Sequence, residues 1–268
     1  MSTARAAAVG AAVALWVLGS TSSAVAQQQQ GQMPQQRGGG QTMAADDYTG
    51  FRAIFDGRTL DGWDGDPMFW SVQDGVIVAE STPERVVIEN TFLIWRGGTP
   101  ADFELKVDVR FAGDAGNSGI QVRSRPNTAP TSRTGGEERR WGIAGYQVDV
   151  TPRAQGSALL FEEGGRGFLA RQGQITRRVR DDEGNATTLL VGQLGEAIVD
   201  HINPPGEWNS FHIIARGNQL TVLVNGRLSA MTIDDDPEAL ARDGLIALQM
   251  HTGSPFRVEF RNVYLKEL

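Results

Sequence analysis

The chain contains no cysteine and only three histidines among its 268 residues. The first absence excludes disulfides, thiolate metal sites and a lipid-modified cysteine, so stability must come from an ordinary core. The second leaves few side chains whose unperturbed charge changes near neutral pH. Long apolar runs are scarce as well. The run from Ala6 to Leu18 has thirteen residues, against the roughly 20 that a membrane-spanning helix needs. It follows Arg5 and precedes Ala24-Val25-Ala26, a small-x-small cleavage site, so residues 1–26 read as a secretory signal peptide and the protein is expected in the periplasm or outside the cell. Residues 27–43, QQQQGQMPQQRGGGQTM, have almost nothing to bury and are expected to form a disordered leader. About 225 residues remain from Ala44 to Leu268, which suits a single β-sandwich domain. The formal charge is −7, and two arginines but no acids precede Ala44, so the remainder carries −9. Such an acidic surface argues against nucleic acid as a partner.

Strand signals fill the domain. From Phe103 to Phe111 the side chains alternate, with Phe103, Leu105, Val107, Val109 and Phe111 on one face and charges on the other. Asp74-Gly75 and Asn225-Gly226 interrupt apolar stretches and predict tight hairpins. Further short strands are expected over 92–95, 119–123, 146–150, 158–161, 211–215, 245–250 and 258–265. With thirty-three glycines and little helical periodicity, the chain reads as all-β, a sandwich of two antiparallel sheets. Two insertions break the rhythm. Residues 125–140 are polar and predict a surface loop. In 176–205, Leu189, Leu190, Leu194, Ala197 and Ile198 stand at roughly helical spacing and predict a short helix in a segment long enough to cover a site. A further helical turn is expected over 237–241.

Polar residues gather at strand ends in a recurring way: Asn117-Ser118-Gly119-Ile120, Gly145-Tyr146-Gln147-Val148-Asp149, Gly206-Glu207-Trp208-Asn209, Leu248-Gln249 with His251, and Phe260-Arg261-Asn262-Val263. With Phe55-Asp56-Gly57-Arg58-Thr59-Leu60-Asp61-Gly62-Trp63 and Asp102-Phe103-Glu104-Leu105, these occur in the order seen in the 3-keto-disaccharide hydrolase domain family, which the chain resembles over most of Phe51–Leu268. The resemblance implies a concanavalin A-like jelly roll with few helical segments, and action on glycosides whose sugar carries a ketone at C3. Many members place a glutamate within a Tyr-Glu-x-Gln motif. Here Gln147 directly follows Tyr146 and the acid is Asp149.

A C3 ketone acidifies the C2 hydrogen. Its removal gives an enolate that can expel the C1 substituent, leaving an unsaturated keto-sugar to which water can add. Such chemistry needs a base, help at the ketone oxygen and an acid for the departing oxygen. His251, at a strand end before a turn, is the first candidate base; a lone histidine is more often structural, and it is the resemblance that favours a catalytic role. Asp149 shares a strand face with Gln147 and is the second, although the pair alone reads equally well as a solvated face. Glu162 is the third expected catalytic residue. It leads into Gly164-Gly165-Arg166, a turn that would let backbone approach a ligand and Arg166 steady an enolate, or that would simply be a charged hairpin tip. Asn117, Gln121, Arg123, Tyr146, Gln147, Arg166 and Trp141 are the expected substrate-binding residues. Trp95 and Trp208 are further candidates for stacking on a sugar, with Trp208 reading more as core. His201 and His212 read as structural. No cofactor is called for by any motif; a divalent metal held by Asp149, Glu162 and His251 would polarise a ketone, but the spacing matches no dedicated metal motif. The expected partner is therefore a carbohydrate, with a non-catalytic, lectin-like binding module as the competing reading.

Overall fold

The computed structural model describes residues 46–195 and 197–268, and the expected signal peptide and leader lie outside them. In chain order the strands are β1 Arg52–Ala53, β2 Trp63–Asp64, β3 Trp70–Gln73, β4 Val76–Glu80, β5 Thr91–Trp95, β6 Phe103–Phe111, β7 Ser118–Pro126, β8 Ile143–Val150 and β9 Leu159–Glu163. They continue with β10 Gly167–Ala170, β11 Gln174–Arg180, β12 Ala186–Gln193, β13 Asn209–Arg216, β14 Gln219–Val224, β15 Arg227–Asp234, β16 Leu245–Met250 and β17 Arg257–Glu267. Helical structure among the described residues is confined to two 3₁₀ segments, Ala154–Gly156 and Ile198–His201. This is the all-β sandwich expected from the strand signals and the jelly roll that the family resemblance implies.

One sheet runs β12-β11-β15-β14-β13-β6-β17-β4-β3, with β1 added to β17, and the other runs β10-β9-β8-β7-β16-β5-β2. Among the described strand pairs only β11–β15 is parallel. Both Gly-containing hairpins form. Asp74-Gly75 and Asn225-Gly226 join β3 to β4 and β14 to β15 with φ of +49° and +82°, and +49° and +77°, the left-handed pair that a two-residue loop needs to match strand twist.

The core lies between the two sheets. Phe103, Leu105, Val107, Val109 and Phe111 of β6 are all at most 4% exposed and meet Ile120, Val122, Val148, Leu160 and Leu248 from the opposite sheet. Each such side chain contributes roughly 1.5–3 kcal/mol by leaving water. The opposite face of β6 is less solvated than its charges suggest, because Lys106 lies over the rings of Tyr48 and Phe51 at 5.1 and 5.2 Å.

The 176–205 insertion is not the helix that its spacing suggests. Leu189 and Leu190 belong to β12, which pairs antiparallel with β11 and forms an edge of the ten-stranded sheet. Arg177↔Leu189 and Thr176↔Leu190 are cross-strand partners, so the leucines alternate between faces instead of forming one stripe. Residues 237–241 contain the expected single turn, closed by the Leu240 N–H on the Asp236 carbonyl.

Candidate functional site

The seven-stranded sheet carries polar side chains on both faces, and register decides which belong together. Gly119↔Asp149 and Gln121↔Gln147 are paired across β7 and β8, Ala247↔Gln121 across β16 and β7, and Gln249↔Phe92 across β16 and β5. With a period of two, Asn117, Gly119 and Gln121 share the outer face with Gln147, Asp149 and Thr151, and with Ala247, Gln249 and His251. Tyr146, Val148 and Leu248 point into the core.

Amides on the outer face are chained in one direction. Ser124 Oγ donates to Gln121 Oε1 at 2.7 Å, Gln121 Nε2 to Gln147 Oε1 at 2.6 Å, and Gln147 Nε2 to Asp149 Oδ1 at 2.6 Å. Each amide has its carbonyl committed to the preceding donor, so each must present its N–H₂ to the next acceptor. Gln121 and Gln147 are buried. Gln147 can lie flat against the sheet because residue 119 is glycine; a Cβ there would sit 2.4 Å from Gln147 Cδ. This accounts physically for the glycine of the Asn117-Ser118-Gly119 motif.

Asp149 ends the chain of amides. Burial lifts its carboxyl from the ordinary 3.8 to about 6, with the Gln147 hydrogen bond opposing the shift and the negative charge of Glu163 adding to it. Beside it in the cross-strand row, Gln249 is completely buried, and neither its Nε2 nor its Oε1 meets a protein partner. Asn117 Oδ1 is likewise buried without a partner. Unpaired polar atoms of this kind cost roughly 1–3 kcal/mol each, which is tolerated where a ligand completes them. His251 and Asn117 line a cleft of about 840 Å³ together with Thr151, Arg153 and Thr252. His251 Nδ1 lies 2.5 Å from the Thr252 carbonyl oxygen, and a proton shared there leaves Nε2 unprotonated in the neutral ring.

The face is crossed from above. Asn90, which leads into β5, donates to Glu163 Oε1 on β9 at 2.9 Å and accepts from Thr252 N–H at 3.0 Å, joining strands with three others between them. The polar 125–140 loop does not simply stand in solvent. Thr131 bonds Glu89, Arg139 bonds the Asn90 carbonyl, and Trp141 Nε1 donates to Asp64 at 2.8 Å while its ring packs on Phe92, Ile94, Ile143 and Ala247.

Four expected site residues lie elsewhere. Glu162 precedes the outer-facing Glu163 and therefore points inward beside Tyr146, its cross-strand partner. There Arg166 donates to Glu162 at 2.5 Å and to Asp234 at 2.6 Å and lies 3.4 Å from Asp236, while Arg180 also binds Asp236. The Tyr146 hydroxyl donates to Asp234, and burial with that bond raises its pKa far above the ordinary 10.0. Gly164-Gly165 serves this cluster and not a ligand: φ at Gly164 is +65°, and a Cβ on Gly165 would lie 2.6 Å from the Glu162 carboxyl carbon. Arg123 is also internal, 2% exposed, bonded to the carbonyls of Ala101 and Gly217 and to Asp102. Its φ of +46° marks the irregularity between Val122 and Arg125 that turns it away from the outer face.

With Glu162 on the opposite face, Asp149, Glu162 and His251 cannot share one ion, and no group of three acidic or histidine residues is placed to hold a metal among the described residues. Trp95 is core, and Trp208 is not: it lies part-exposed between Arg110 and Arg261 at 4.5 and 4.1 Å. His212 pairs with Glu104 at 2.8 Å on the ten-stranded sheet, apart from the cleft. Sequence reasoning missed Gln249, Glu163 and Asn90 as site residues. Gln249 was legible, since Ala247, Gln249 and His251 must share a face; Asn90 had no periodic signal.

Known structures and families agree with this architecture. The chain is similar in fold to a protein from Parabacteroides distasonis described as a "putative glycosyl hydrolase" (19% identity, 82% of this chain and 94% of that one, TM-score 0.52). It is also similar to a Bacillus subtilis protein of unknown function with a galectin-like fold (13% identity, 78% of this chain and 90% of that one, TM-score 0.50). No curated protein gives a significant match. The model of the 3-keto-alpha-glucoside-1,2-lyase-like domain matches residues 50–266, with the outer-face array inside it, and the chain belongs to that family.

Proposed function

We propose that the chain, as an exported enzyme, cleaves 3-keto-glycosides by elimination across C1 and C2, on the outer face of the seven-stranded sheet. The observation that carries this reading is Asp149: a carboxyl raised to about 6, with one oxygen held by an oriented amide chain, beside the unpartnered amide of Gln249. A base working at neutral pH needs such a value, ionised yet basic. Ordinary two-carboxylate hydrolysis is not what the face offers, because its second acid, Glu163, is engaged by Asn90.

In this reading Asp149 takes the C2 proton, and the C–H electron pair moves into the C2–C3 bond as charge passes to the ketone oxygen. Gln249 Nε2 donates to that oxygen, a bond that strengthens as the enolate forms. Collapse of the enolate breaks the C1–O bond, and protonated His251 supplies the proton to the departing oxygen through Nε2. Asn117 binds a sugar hydroxyl in the cleft. The products are an enone sugar and a free alcohol; water adding to the enone makes the net reaction a hydrolysis.

Incubating the mature domain with a 3-keto-glucoside and with its unoxidised parent tests the proposal. Release of the alcohol from the keto compound alone is expected. Tight binding of both without release would instead identify a carbohydrate-binding module.

A further inference from the structure

A second cavity, of about 420 Å³, opens beside Asn90 and differs in character from the His251 cleft. Its walls include Met68, Phe69, Val86, Ile88 and Trp141. Met68, Val86 and Ile88 are 52%, 50% and 62% exposed, an unusual concentration of large apolar side chains left in water around one hollow. The enclosed polar groups around it are mostly occupied with one another, since Glu89 accepts from Thr131, Arg139 Nη2 bonds the Asn90 carbonyl and Trp141 Nε1 is fixed on Asp64, while the charges of Glu137, Glu138 and Arg140 stand exposed at its rim. One buried donor is left over. Arg139 Nε is buried and has no protein partner.

Asn90 ties this cavity to the reacting groups. It lines the cavity, bonds Glu163, whose charge acts on Asp149, and accepts from Thr252 next to His251. A substrate with its keto-sugar at Asp149 and its glycosidic oxygen at His251 therefore has the apolar cavity next to its leaving group.

We propose that this cavity is the aglycone subsite and takes an aromatic, oxygen-bearing leaving group, in chemical class a phenol, in preference to a second sugar. The inference rests on the proposed cleavage of 3-keto-glycosides. A second sugar would lay several hydroxyls against the aliphatic walls of Met68, Val86 and Ile88, leaving them unpaired, whereas a phenolic ring, whose own oxygen is the glycosidic one at His251, covers those walls and brings no further group to satisfy.

The experiment has two arms. In the first, kcat/KM is measured for an aryl 3-keto-glucoside and for a 3-keto-disaccharide, in the wild type and in Ile88→Asp, a substitution at an exposed position that the fold tolerates. The wild type is expected to favour the aryl substrate at least tenfold, and the variant to lose most of that ratio. In the second arm, 2-naphthol is titrated calorimetrically into both proteins without any keto-sugar. Saturable binding weakened at least tenfold by Ile88→Asp supports the subsite even if no 3-keto-glycoside is cleaved, a result that overturns only the proposed reaction. Absence of naphthol binding, or an aryl-to-disaccharide ratio near one in the wild type, overturns the subsite.

Discussion

The two faces of the seven-stranded sheet both bury polar side chains and treat them in opposite ways. On the inner face Glu162, Asp234 and Asp236 meet Arg166 and Arg180, and Tyr146 adds its hydroxyl, so the charges answer one another between the sheets. On the outer face the amide chain terminates on a carboxyl of raised pKa, and Gln249 and Asn117 keep buried atoms without partners. Fully paired groups leave nothing with which to bind a ligand; unpaired ones are a standing cost that a ligand can remove. The inner cluster is a staple, and the outer array is a site.

The largest effect should come from breaking the staple. Arg166→Met leaves three acids facing each other with Arg178 and Arg180 as their nearby cations, and removing one partner of a buried ion pair typically costs about 3–5 kcal/mol. Urea unfolding should show that loss, while the folded fraction still cleaves a 3-keto-glycoside. If stability holds and cleavage disappears, the inner cluster is catalytic after all and the distinction between faces collapses.

Next in size is the base. Asp149→Asn keeps the Gln147 contact but cannot accept a proton, and cleavage should fall by a factor on the order of a hundred or more. Stability should not fall with it. His251→Ala sharpens the assignment, since loss of the acid should slow substrates with poor leaving groups far more than those with good ones; equal slowing would move His251 from proton donor to sugar contact.

Gln249→Leu probes the unpaired amide with little change in volume. Turnover should drop about tenfold through the lost bond to the enolate oxygen, while stability stays level or rises, because a buried amide lacking partners costs roughly 1–3 kcal/mol. A clear loss of stability would mean that the amide is already satisfied within the fold.

Much of this was legible in the sequence, for reasons that mark where legibility stops. Phe103–Phe111 alternates without a fault, so its face could not be misread, and Gln147 with Asp149 follows the same rule. Glu162 was misplaced because Leu159, Leu160 and Phe161 before it are all apolar, so the run carries no parity and either glutamate could face outward. Arg123 follows a regular strand up to Val122, but the backbone irregularity at that point reverses its direction, and nothing in the residues Val122-Arg123-Ser124 announces it. The leucines of 186–193 fit a helix in spacing and a strand in fact, since pairing with β11 outweighed local pattern. Asn90 depends on contacts with residues 73 and 162 positions away, beyond any local signal.

The effect most specific to the outer face appears only as pH is varied. Asp149 titrates near 6 when folded and near 3.8 when unfolded. Below about pH 4 both states hold the proton and the group contributes nothing. Between there and about pH 6 the folded protein keeps a proton that the unfolded chain releases, so this carboxyl lowers stability as pH rises, and above that window the cost is constant. An asparagine at the same position does not titrate and carries no such pH dependence. The stability difference between Asp149→Asn and the wild type should therefore grow in favour of the variant from about pH 4 to about pH 6 and then level off, and kcat/KM of the wild type should rise over the same range as the base ionises. A difference in stability that is flat across that window would show that Asp149 is not a strained buried carboxyl, and would remove the feature that separates the outer face from the inner one.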